Sequence, residues 1–137
     1  MSLAKVKTAL ETALAAMTPT LATAWPNVEF KPPVGSSTPW QTASVLTASP
    51  DNLETGNVYY REQGVFLVRL HYPLKTGSGA AIARAELLRS VFYRGASFTS
   101  AGIIVTIEQT PEIAAGSVEG DRWVVPVRIR FYANVEN

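Results

Sequence analysis

Residues 64–95 read GVFLVRLHYPLKTGSGAAIARAELLRSVFYRG. In the first part Phe66, Val68, Leu70 and Tyr72 fall on one face at period two, which predicts a strand. LKTGSG is a loop. Residues 80–94 then predict a helix, with Ala81, Ala85, Leu88 and Phe92 at helical spacing and Leu87 and Val91 widening the stripe. Arg84 falls off that stripe. Ser78 fits the N-cap, Arg89 and Arg94 sit near the negative C-terminal end, and Gly95 suits the left-handed residue that closes many helices. A strand and a helix that are each apolar on one face can cover each other. The rest of the chain is organised around that unit.

Outward from it, residues 3–17 predict a first helix. Leu3, Val6, Leu10, Leu14 and Met17 recur at three- and four-residue steps, and Pro19 ends it. Glu11 interrupts this apolar stretch and no continuous apolar run follows the lysines, so it reads as a mature helix and not a secretory signal. Trp25-Pro26 gives an extended entry, with Val28 and Phe30 on one side of a short strand that Pro32-Pro33 stops. WQTASVLTA at 40–48 is a second strand, and residues 49–57 are a turn-rich acidic loop. Val58–Arg61 and Gly64–Tyr72 are either one interrupted strand or two, with Glu62-Gln63-Gly64 as a tight turn or a bulge. GASFTSAG is a connection, IIVTIEQ at 103–109 a strand, and residues 110–121 a long loop.

In the last strand, RWVVPVRIRFYA, Trp123, Val125, Val127, Ile129 and Phe131 share one face. Arg122, Val124, Pro126, Arg128, Arg130 and Tyr132 share the other. Pro126 points to an edge position, or to a side that lacks a ladder bond there. The strands at 103–109 and 122–131 are expected to pair as a hairpin. Helix, strands, helix, strands make an α+β pattern: a mostly antiparallel sheet with two helices on one face, in one domain spanning 1–137.

Composition excludes several classes. The chain is 47% hydrophobic and 17% charged, a globular balance and not a disordered one. Twelve Lys plus Arg against 11 Asp plus Glu create no global field for nucleic acid or anionic membrane. There is no cysteine, which removes disulfides and thiolate chemistry and leaves the compartment open. With a single histidine, a structural zinc site is not expected. No apolar run reaches the roughly 18 residues that span a bilayer.

The inventory for catalysis is thin. His71 lies on the opposite face from the Phe66–Tyr72 stripe, next to Arg69, and the local sequence offers it neither an orienting carboxylate nor a nucleophile. Gly77-Ser78-Gly79 lacks the G-x-S-x-G elbow, and KTGSG lacks the GxxxxGK[ST] order of a phosphate loop. Asp51 and Glu54 lack the ligand spacing of a calcium loop. No catalytic, cofactor or metal residues are therefore expected. Arg122, Arg128 and Arg130, joined by Arg69 if its strand is a neighbour, form a basic face. Such a face can bind single-stranded nucleic acid when aromatic residues share it. Here the aromatics mostly share the apolar face, which favours a solvated or interface surface.

In layout the chain resembles the tail terminator proteins of long-tailed bacteriophages, of the minor tail protein U type. The resemblance rests on the amphipathic first helix, WPNVEFKPP, the strand–loop–helix at 64–95, IIVTIEQ and the closing WVVPVRIRF. It implies a non-enzymatic assembly protein of the virion tail and neck, put together in the host cytoplasm. Its partners would be copies of itself in a hexameric ring, the tail tube protein and the head–tail connector, with DNA passing through the hole. The ring would cap the head-proximal end of the tube, stop its growth and offer the joining surface. Asp51, Asn52 and Glu54 in the first long loop and Arg69, Arg122, Arg128 and Arg130 on the sheet are the candidate partner-interface residues. Alternatives are another neck or connector completion protein, a single-stranded nucleic-acid-binding module, or a small enzyme whose site residues are distant in sequence.

Overall fold

The computed structural model describes residues 2–33, 38–52 and 59–136. Its helices are α1 (Ser2–Ala15) and α2 (Gly79–Val91). Its strands are β1 (Ala22–Ala24), β2 (Trp40–Thr47), β3 (Tyr59–Pro73), β4 (Ser97–Ser100), β5 (Ile103–Ile107), β6 (Glu112–Ile113), β7 (Ser117–Glu119) and β8 (Arg122–Glu136). One sheet holds them in the order β1-β2-β3-β8-β5-β4, with β6 and β7 also paired to β8. All pairs are antiparallel except β1 with β2. This is the expected α+β architecture.

Its spine is the pair β3–β8, in register from Tyr59↔Glu136 to Pro73↔Arg122. The strand around Gly64 is therefore continuous, without a turn at Glu62–Gly64. Glycine is required there for a reason of space. A Cβ on Gly64 would lie 2.2 Å from the Leu46 carbonyl oxygen of β2, inside van der Waals contact.

Period-two alternation puts Phe66, Val68 and Leu70 of β3 and Val125, Val127, Ile129 and Phe131 of β8 on the same face, all buried. α2 covers it with Ala81, Ala85, Leu88 and Phe92, and α1 with Val6, Leu10, Leu14 and Met17. The rings of Phe66 and Phe92 meet at 5.8 Å, and those of Phe92 and Phe98 at 5.2 Å. Full burial of such side chains stabilises the fold by about 1.5–3 kcal/mol each.

Several expectations are corrected. β1 lies at 22–24, ahead of Val28, which is 59% exposed. Asn27 has φ 55° and the Val28 N–H bonds back to the Trp25 carbonyl, so WPNV is a turn. GASFTSAG contains β4, joined to β5 by Ala101-Gly102. Both turn residues have positive φ (47° and 87°), as a type I′ hairpin demands. Alanine is an unusual residue in that role, so the sequence conceals the turn. The long loop at 110–121 holds β6 and β7. β8 is accordingly a central strand and not an edge. The Ala114 N–H donates to the Pro126 carbonyl, on the side away from β3, so the donor that proline lacks faces the break between β6 and β7. β5 does pair with β8, through Thr106↔Tyr132 and Ile107↔Phe131.

α2 ends at Val91, before the predicted Arg94. Gly95 has the expected positive φ (89°), but its N–H bonds to Ile107 of β5 and not to a helix carbonyl. Ser78 occupies the N-cap without a side-chain capping bond. Arg84 is buried at 5% exposure, contrary to its place off the sequence stripe. It donates to the Pro19 carbonyl, because the segment after α1 folds back against that side of α2. Leu3, placed on the α1 stripe, is 44% exposed.

Candidate assembly interface

The face of the sheet turned away from the helices carries the odd-numbered residues of β3 and the even-numbered residues of β2 and β8. Its two ends differ. At the Pro73 end, Trp40 lies opposite His71 and the rings stack at 3.8 Å and 7°. Phe30 adds a tilted contact to Trp40 at 5.3 Å. Arg122 is 3% exposed and donates to the Thr38 carbonyl at 2.6 Å. A second, smaller core thus closes this end. Burial, followed by the Arg69 charge, holds the His71 imidazole below its usual pKa, and Glu119 acts against both. Neutral His71 serves as a flat packing surface for an indole.

The remainder of the face is half-buried to exposed and mixes charged side chains with the apolar Leu46, Val65 and Leu67, and the strand pairing organises it. Arg69 forms an ion pair with Glu119 of β7. Arg128 meets Glu112 of β6 at 3.3 Å. The Glu108 N–H bonds to the Arg130 carbonyl, which sets Glu108 beside Arg130. At the far end the Arg61 guanidinium lies 4.3 Å from the centre of the Tyr132 ring and donates to Asn134 at 3.0 Å.

Of the candidate interface residues, Arg69, Arg128 and Arg130 therefore share one surface. Arg122 is removed from it by burial, a correction to its reading as part of an open basic face. Asp51 and Asn52 are exposed. Asp51 exchanges backbone bonds of 2.9 and 2.7 Å with Arg61, tying the base of its loop to β3. Glu54 lies outside the described residues. The ion-pair partners Glu119 of Arg69 and Glu112 of Arg128, and Glu108 opposite Arg130 along the backbone, were missed from the sequence, because only the pairing of β5, β6 and β7 along β8 sets each beside its arginine. Arg61 and Tyr132 were also missed. Their period-two positions on two strands were the available signal, once those strands are paired.

Other features offer little chemistry. Among the described residues, no group of three or more His, Asp or Glu side chains converges as metal ligands. An open hollow of about 500 Å³ between the loop after β3 and β7 is lined by Pro73, Leu74, Val118 and Trp123, with Lys75 and Ser78 beside them. Its walls are mainly apolar. Among the described residues no helix is long and apolar enough to cross a membrane.

A family model described as phage tail terminator protein matches residues 5–131. The chain belongs to the phage tail terminator family. This terminator shares its fold with a solved structure that is 23% identical, at a TM-score of 0.72. The match covers 97% of this chain and 96% of the other. No curated protein sequence matches it. Membership makes the terminator a structural component of phage tail assembly.

Proposed function

We propose that this terminator forms a hexameric ring on the head-proximal end of the tail tube, where it stops tube growth and presents the surface that joins the head connector. The observation that carries the reading is the family match across residues 5–131. The interleaved charges of the helix-free face support it. Arg69 with Glu119, Arg128 with Glu112 and Arg130 beside Glu108 form a mixed surface, suited to a protein partner of matching pattern. The same balance weakens any track for a polyanion, so DNA passes through the ring without sequence-specific contact. The role involves no turnover chemistry. Assembly takes place in the bacterial host cytoplasm, and the protein ends in the virion neck.

Free subunits need not be hexameric, because ordering and association costs consume much of the contact energy. A tube end raises the effective concentration of the remaining subunits. Electron micrographs of tails assembled with and without the protein supply the test. Tubes of uniform length are expected only when it is present, and the same length distribution in both samples would overturn the reading.

A further inference from the structure

The sheet does not close on itself. β1 and β4 are its two ends, and their shortness, three and four residues, is what limits pairing there. Neither strand contains a charged residue, a proline or a bulge, and the uncharged run extends from 12 to 28 around β1 and from 95 to 107 around β4. The outer side of β4 is built to donate and accept. Ala101-Gly102 is a two-residue turn, so Ser100 and Ile103 exchange bonds, and Phe98 bonds inward with Val105. The backbone groups of Ser97 and Thr99 then point away from β5. Beside this edge runs a groove of about 380 Å³ between α1 and β4, lined by Thr8, Ala9, Thr12, Ala13 and Ala16 and by β4 itself. An added strand would satisfy the outward groups and lay alternate side chains into the groove.

We propose that the β4 edge of one subunit takes the β1 edge of the next, so that the sheets run on around the ring. The occupant is a second copy because both edges are electrically neutral and similarly short, three and four residues, and Ala22–Ala24 carries side chains small enough for a groove walled by alanine and threonine. A head-to-tail contact also uses both edges of every subunit and leaves none open once the ring closes. The proposal rests on the ring reading and names the contact within it.

The test is the mass of the assembled protein measured by light scattering, together with capping of purified tubes. Thr99→Pro removes an outward donor but no bond to β5. Thr12→Arg fills the groove from an exposed helix position. Ala22→Lys puts a charge on the opposite edge, also at an exposed site. Each variant is expected to keep its melting midpoint within about 4 °C of wild type and to lose ring formation at concentrations where wild type assembles. Thr99→Pro mixed with Ala22→Lys retains one functional edge of each kind and is expected to give a dimer and no ring. Wild-type rings alongside intact Thr99→Pro rings would overturn the edge contact and leave the ring reading standing. A wild type that stays monomeric at every concentration and on tube ends would overturn both. Should Thr99→Pro fail to fold, Thr12→Arg and Ala22→Lys carry the same comparison.

Discussion

Arg122 and Arg130 belong to the same strand, have the same parity and project from the same face of the sheet. One is buried and bonded to the Thr38 carbonyl; the other is exposed beside Glu108. What separates them is what packs at one end of the face: Thr38, just ahead of β2, accepts from Arg122, and Phe30 lies against Trp40, which stacks on its strand neighbour His71. Nothing comparable covers Arg130 among the described residues. A strand's alternation assigns a residue to a face, and only what packs on that face decides whether an arginine is a structural donor or a contact surface.

The helix-covered face supplies the largest expected effect. Phe92→Ala should cost about 3–5 kcal/mol in urea titration, since its ring packs between Phe66 and Phe98 with no exposure. A cost like that of an exposed-face substitution would mean that the two faces are not distinct. Gly64→Ala follows, at about 1–3 kcal/mol, because β2 must yield to the new Cβ against the Leu46 carbonyl.

The arginines sharpen the comparison directly. Arg122→Ala and Arg84→Ala should each destabilise by about 1–3 kcal/mol, leaving the Thr38 and Pro19 carbonyls without their donors. Arg130→Ala should stay within about 0.5 kcal/mol in the same titration. Equal costs for Arg122 and Arg130 would erase the distinction between the closed and open ends.

The smallest effect is a pH dependence. His71 is depressed in the folded state, chiefly by burial and then by Arg69, relative to 6.5 in the unfolded chain. The unfolded chain therefore binds the proton first. Stability from neutral His71 is complete above that value and declines as pH falls below it toward the folded-state pKa. His71→Phe keeps an aromatic surface against Trp40 and should flatten this part of the stability curve. An unchanged slope between wild type and variant would remove His71 from the closed end's energetics.

Much of the architecture was legible in local patterns. The period-two faces of β3 and β8 and the helical stripes of α1 and α2 depend on neighbours a few residues apart, and they determined the α+β class and most of the core. Two-residue and three-residue strands were not legible. Glu112–Ile113 and Ser117–Glu119 are too short for any period to show, and they exist because β8 offers a free edge beside them. Ala101 hid a hairpin because its positive φ is imposed by the β4–β5 pairing and not favoured by alanine itself.

The candidate interface divides the same way. Sequence alone determined that Arg128 and Arg130 share a face, since alternation along one strand needs no partner. Only the tertiary structure decided that Arg69 joins them and Arg122 does not, and that Glu112 and Glu119 stand against two of them. Those outcomes depend on register between strands far apart in the chain and on which segment covers the sheet. Both are set by burial summed over the whole molecule, which no window of the sequence contains.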